Sequence, residues 1–331
     1  MKKGSCMNPG KGFQKVLQCL FVLIILSGGM TSALLAIEPK EILTRSLEAQ
    51  FGLDFEGIKK TEFRLPGRSY TTTTRIIRQE PDFTYTTTLA PARLKRLVIL
   101  DDGKFRIKHI RGSNKFGFFP SLNSPEAKEI KRKSLNLIFI NYKISKLLDG
   151  YILARPVYVI SLIPKHSGNP RRKVWIDKKM YLPLKEEDYN WRGELISSSF
   201  YTEIHFDKRF SKEKFYRDFP QRPRKKVFSQ ERFLSLKDLR RKIRFPVSSA
   251  HYLPPSYEFQ EAVLFSKERA VKLTYTNGLG VICLFQMPSN IKLRGHLEGA
   301  HPLVWEKGGR TFLLMADISR KELIKIKQSV K

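Results

Sequence analysis

Cysteine is nearly absent from this chain of 331 residues: there are three, and two of them fall within the first 19 positions. The third, Cys283, sits in the apolar run Val281-Ile282-Cys283-Leu284-Phe285, the setting of a small buried hydrophobe rather than a nucleophile. A lone thiol closes no internal disulfide, so the fold must be held by its cores. Metal-ligand spacing is missing too. The six histidines (His109, His166, His205, His251, His296 and His301) form no HExxH pair, and the last two lie five apart without Cys or acidic companions. Gly278-Leu279-Gly280 lacks the third glycine and the following helix of a dinucleotide site. No Ser, Thr or Cys has a recognisable base nearby, and Glu186-Glu187-Asp188 reads as a solvated loop rather than an acid/base pair. The sequence therefore predicts no catalytic residues, no metal and no cofactor, and a binder rather than an enzyme.

Acidic residues are scarce as well: 31 against 62 Lys and Arg, a net charge of +31. In a cytoplasmic protein such a balance points first to nucleic acid. The N-terminus argues otherwise. Lys2, Lys3, Lys11 and Lys15 form a cationic region, and Val16 to Ile37 carries no charge. The apolar density of Val16 to Leu26 ends at Gly28-Gly29, and Thr31-Ser32-Ala33 supplies the small residues that a signal peptidase reads. Residues 1–36 are expected to be a signal peptide cleaved near Ala33 or Ala36. The rival is an uncleaved anchor, since the uncharged stretch could just span a bilayer of about 30 Å. No Cys follows the apolar run where a lipid anchor would need one. An exported basic chain meets anionic lipid, lipopolysaccharide or an acidic protein, not nucleic acid.

Residues 37–206 and 245–331 read as two domains. Pro39 in the first turn and Leu43, Leu47 and Phe51 at four-residue steps predict a helix over 38–51. From Gly57 to Ile110 the texture is of strands, with a hairpin at Asp101-Asp102-Gly103. Ser124-Pro125-Glu126 opens a second helix to about Phe139. Period-two alternation returns from Arg155 to Phe206 in three segments joined by polar turns. Strands, a helix laid across them, then more strands in one sheet give an α+β class, an antiparallel half-barrel closed by helices.

Between Asp207 and Arg244 fifteen basic residues face five acidic ones, with aromatics interleaved, and Pro220 and Pro223 forbid a continuous helix. This stretch is expected to be a basic linker, helical only near Ser235 to Arg241. Arg222, Arg224, Lys225, Lys226, Arg240 and Arg241 are its candidate contacts with an anion or partner. A smaller α/β unit follows, with strand-like runs at 262–265, 270–275, 280–285 and 311–315. Its last helix has Ser319 as cap and Glu322 three residues on, with Leu323, Ile326 and Val330 inward.

Several local features occur together in order: Asn141-Tyr142; Arg155-Pro156-Val157-Tyr158-Val159-Ile160; Arg171-Arg172-Lys173-Val174-Trp175-Ile176-Asp177; Leu182-Pro183-Leu184-Lys185; and Gly193-Glu194-Leu195. In the second unit Leu253-Pro254-Pro255, Tyr275-Thr276-Asn277-Gly278-Leu279 and Gly299-Ala300 continue the series. With these, the chain from about Lys40 onward resembles the RseB/MucB family of periplasmic regulators, whose first domain is LolA-like. The resemblance implies a protein that binds the periplasmic part of a membrane anti-sigma factor, shields it from proteolysis, and yields to lipid-like signals of envelope damage. The chain departs from the family in lacking Thr-Gly after the Trp-Ile-Asp strand and in its unusually basic linker.

The candidate ligand cavity is a greasy trough formed by Phe105, Ile107, Val157, Val159, Val174 and Ile176 on one concave sheet face, with Ile138 and Phe139 from the covering helix. Whether helices fill this concavity or leave an acyl-sized pocket stays open at this level. A carrier of lipid or lipoprotein between membranes is the alternative function.

Overall fold

The computed structural model describes residues 37–65, 67–113, 116–217, 219, 230–265, 269–289 and 302–331. The expected signal peptide, Arg222, Arg224, Lys225, Lys226 and Gly299-Ala300 lie outside the described residues. Among the described residues no helix is long and apolar enough to cross a membrane. The α+β class expected from the sequence is the class found.

Helix α1 (Pro39–Gly52) leads into a meander of six strands: β1 (Phe55–Leu65), β2 (Arg68–Gln79), β3 (Phe83–Ala90), β4 (Leu97–Asp101), β5 (Phe105–Ile110) and β6 (Phe116–Pro120). Helix α2 (Pro125–Asn141) follows, then β7 (Tyr142–Ile152), β8 (Arg155–Pro164), β9 (Arg171–Asp177), β10 (Pro183–Tyr189) and β11 (Leu195–Phe206). The two meanders fuse because β1 pairs antiparallel with β11, giving one sheet of eleven strands in the order β6-β5-β4-β3-β2-β1-β11-β10-β9-β8-β7. Thr, Tyr and Ile suit β2 and β3 to a pleated, half-buried surface. At the β4–β5 turn Gly103 adopts φ +82°, and the Asp102 carboxylate accepts from the amides of Lys104 and Phe105. The strand texture expected from Gly57 to Ile110 is interrupted before Leu97, because Ala92–Leu94 closes a single 3-10 turn.

Helix α2 starts as its sequence dictates: Ser124 Oγ accepts from the Ala127 amide at 3.3 Å, and Pro125 occupies the first turn. Its Arg132 is paired with Glu48 of α1 at 3.2 Å.

The basic segment after β11 packs at both of its described ends. Short helix α3 (Lys212–Tyr216) sets Phe215, with Phe219, onto the row Ile77, Tyr85, Leu100, Ile107 and Phe118. Further on, β12 (Glu231–Phe233) pairs with β13 (Glu258–Phe265), and α4 (Leu236–Lys242) buries Leu239. The aromatics interleaved among the cations are the physical reason: they cover apolar strand faces that would otherwise meet water. The second sheet adds β14 (Ala270–Thr276), β15 (Val281–Pro288), β16 (Leu303–Lys307) and β17 (Arg310–Ala316), in the order β12-β13-β14-β15-β17-β16. Helix α5 (Arg320–Ser329), capped by Ser319 Oγ on the Glu322 amide, buries Leu323 and Ile326 against it, with Val330 just beyond.

Elements of the two sheets meet at a polar knot. Asn277 is 1% exposed. Its Oδ1 accepts from Tyr142 Oη at 3.0 Å and from the Gly280 amide at 2.8 Å, and its Nδ2 donates to Asn169 Oδ1 at 2.9 Å. Asn141 Nδ2 donates to the carbonyls of Asn277 and Ser256. Beside them Gly278 (φ +109°) presses on α2: a Cβ there would lie 2.7 Å from the Ile138 backbone nitrogen. Only glycine combines that backbone angle with that approach.

Candidate functional site

Strand register decides where each candidate side chain points, because neighbours across a ladder share a face and successive residues alternate. Val157 pairs with Asp177 and Val159 with Trp175, whereas Val174 pairs with Ile160 and Ile176 with Tyr158. Val174 and Ile176 therefore face away from Val157 and Val159, and the expected single trough does not form. Val157 and Val159 instead join a core with Phe55, Leu182, Leu184 and Tyr201.

The first meander corrects the expectation in the same way. Ile77, Tyr85, Leu100, Ile107 and Phe118 lie in one cross-strand row, and Phe105 is on its face. Phe215 and Phe219 close that face. Ile138 is buried under Gly278 at the polar knot, and Phe139 is half-buried beneath Lys40, whose ammonium lies 5.8 Å from its ring. Arg240 and Arg241 are exposed on α4, Arg241 being paired with Asp238 at 3.6 Å.

The opposite face of the first meander carries the row Arg78, Thr84, Asp101 and Arg106, one residue out of step with the apolar row. Here a half-open cavity of about 490 Å³ lies between the sheet, the end of α1 and Lys131 of α2. None of the eight trough residues lines it. Its apolar lining includes Phe55, Ile76, Ile99, Leu122, Leu182 and Tyr201, and its polar lining includes Lys59, Arg78, Asp101, Arg106, Lys131 and Glu186.

These charges are unevenly matched. Lys59 and Glu186 pair with one another at 3.6 Å. Asp101 is spent on neutral donors: Oδ1 accepts from Ser121 Oγ at 2.6 Å and Oδ2 from the Leu122 amide at 2.7 Å. Arg78, 6% exposed, donates only to neutral acceptors, Thr84 Oγ1, Asn123 Oδ1 and the Phe51 carbonyl, and its Nε has no partner. Arg106 has no hydrogen-bond or ion-pair partner among the described residues; its guanidinium lies 5.7 Å from the Phe119 ring. Among the described residues Lys131 has only the Phe51 ring, 5.1 Å away. Burial lowers the pKa of all three, and the Arg78 charge lowers Lys131 further.

Sequence reasoning missed these residues for a definable reason. In β5, Arg106 and Lys108 alternate with Phe105 and Ile107, a pattern that reads as polar side to water and apolar side to core. Neither side lies free in water: Arg106 and Lys108 are half-buried, Arg106 on the cavity wall with Lys131 of α2, and Phe105 and Ile107 are packed under Phe215 and Phe219. The legible signal was the run of aromatics after β11, which had to cover something. Among the described residues no three His, Cys, Asp or Glu side chains are grouped to hold a metal.

Two antiparallel sheets joined by a buried polar knot, the larger one holding a half-open cavity, define an α+β protein of two unequal sheets. Residues 121–219 match the family model described as the MucB/RseB N-terminal domain. The chain is similar in fold to MucB in the solved Pseudomonas aeruginosa MucA/MucB complex (TM-score 0.59, 15% identity, covering 89% of this chain and 99% of that one). MucB in complex with MucA(peri) gives TM-score 0.57 at 15% identity over 89% and 98%, and MucB alone gives 0.56 at 15% over 88% and 97%. No curated protein sequence matches the chain.

Proposed function

We propose that this chain is a periplasmic regulator that binds the periplasmic part of a membrane anti-sigma factor and releases it when a lipid-like ligand signals envelope damage. The observation that carries the reading is the extent of the structural likeness. Both sheets, and 99% of the matched MucB chain, are covered in a structure where MucB is bound to MucA. The signal-like first 36 residues and the absence of a catalytic pattern in the sequence support the same reading, as does a half-open cavity with room for a ligand. The division into a LolA-like domain (37–206), a basic connection (207–244) and a C-terminal domain (245–331) belongs to this proposal, as does anionic lipid or lipopolysaccharide as the ligand.

The test is recovery from envelope extract, using the purified mature chain as bait. A single-span membrane protein whose periplasmic segment alone then binds the chain in a purified mixture supports the reading. Failure of that segment to bind under mild conditions overturns it. Net transfer of lipid between two vesicle populations by catalytic amounts of the chain would instead assign it as a carrier.

A further inference from the structure

We infer that the cavity under α1 and α2 is a binding site for one anionic group, a carboxylate or a phosphate, held by Arg78, Arg106 and Lys131. The inference deepens the proposed function, which it needs only for the biological role of the ligand and not for binding itself.

The argument begins with what a buried cation requires. A guanidinium or ammonium taken out of water costs several kcal/mol unless a counter-charge and hydrogen bonds replace its hydration. Structures meet this by placing a carboxylate within reach, as Arg155 does with Asp177 at 2.5 Å and Arg172 with Asp188 at 2.6 Å in this same sheet. The cavity breaks that habit three times at one place. Arg78 is anchored on neutral oxygens, Arg106 and Lys131 touch only aromatic rings, and the Nε atoms of both arginines point at no acceptor. Asp101, the one carboxylate among them, keeps its oxygens on Ser121, Gly103 and Leu122. Lys59 and Glu186 in the same lining match each other, so three cations against Asp101 leave an excess charge of about two on the wall of this half-open cavity.

An anion entering this space gains a charge-assisted bond from each cation and removes the desolvation penalty they carry together. The rest of the lining fits what would follow the charged head, since Phe55, Ile76, Leu182 and Tyr201 offer an apolar wall next to it. The shared chemistry is the anion; its source is either a headgroup on an apolar chain or a free phosphate.

Calorimetric titration of the purified chain with monomeric dodecyl phosphate, dodecanoate, dodecanol and inorganic phosphate tests the site. Both charged amphiphiles should bind, and dodecanol should bind weaker by about tenfold or more. Displacement of dodecyl phosphate by inorganic phosphate identifies free phosphate as sufficient; no displacement assigns the site to headgroups on a chain; either result upholds the cationic site. Lys131→Met and Arg106→Met should each weaken dodecyl phosphate by about tenfold or more while leaving the thermal midpoint unchanged or higher, because each removes a half-buried charge that has no acidic partner. Residues held only for structure would lower it. Lys131→Arg should keep binding, and Lys133→Gln, exposed on the same helix, should not alter it. Equal binding of dodecanol, or full affinity in either methionine variant, overturns the inference. The segment-binding assay uses no lipid, so loss of one reading leaves the other measurable.

Discussion

Removing the Asn277 side chain tests whether the polar knot holds the two sheets' elements together. In Asn277→Ala, Tyr142 Oη, the Gly280 amide and Asn169 Oδ1 lose their partner at once, and all three are buried. The Leu279 amide, at 3.3 Å, is half-buried and can turn to water. A buried polar group left without a partner costs about 1–3 kcal/mol. Three such groups, with some relaxation and entry of water, give a loss of about 3–5 kcal/mol. With a urea dependence of roughly 3 kcal/mol per molar, the unfolding midpoint should fall by about 1–1.7 M. Exposed Asn136→Ala, on the neighbouring helix, should stay within about 0.5 kcal/mol of the parent. Tyr142→Phe combined with Asn277→Ala should cost less than the sum of the two, by about 0.5–3 kcal/mol, because they remove one shared bond. A loss below about 1 kcal/mol in Asn277→Ala, or strict additivity with Tyr142→Phe, would refute the view that this knot carries load between the sheets.

Alkaline pH should destabilise the chain through the same residue. Burial raises the Tyr142 hydroxyl to about 12 from an ordinary 10.0, so the folded state holds its proton more tightly than the unfolded state. Its contribution is complete below pH 10 and is lost as pH rises through about 12; Tyr142→Phe should flatten that part of the pH–stability curve. Phe215 has its ring centre 4.6 Å from Tyr85 and 5.6 Å from Phe83. Phe215→Ala should cost about 3–5 kcal/mol and expose the outer apolar row to a hydrophobic dye, whereas a neutral result would mean that the segment after β11 is a dispensable tether.

The sequence by itself determined what is local. Ser124-Pro125 began α2, Ser319 and Glu322 began α5, Asp102-Gly103 turned the β4–β5 hairpin, and alternation marked which residues of β5, β8 and β9 share a strand face. These follow from capping, turn chemistry and the pleat, all set within a few residues. The order of motifs along the chain also carried the RseB/MucB resemblance, which the match over residues 121–219 agrees with. Only the tertiary structure decided which strand faces meet, because register between β8 and β9 turns Val174 and Ile176 away from Val157 and Val159. It also decided what covers each side of the first meander. Phe215 and Phe219 arrive from about a hundred residues away to bury Phe105 and Ile107, so the row between them, with Arg78 and Arg106, becomes the wall of the cavity. Alternation fixes that two rows differ in polarity. Which of them faces water depends on distant chain segments, and no local pattern contains that information.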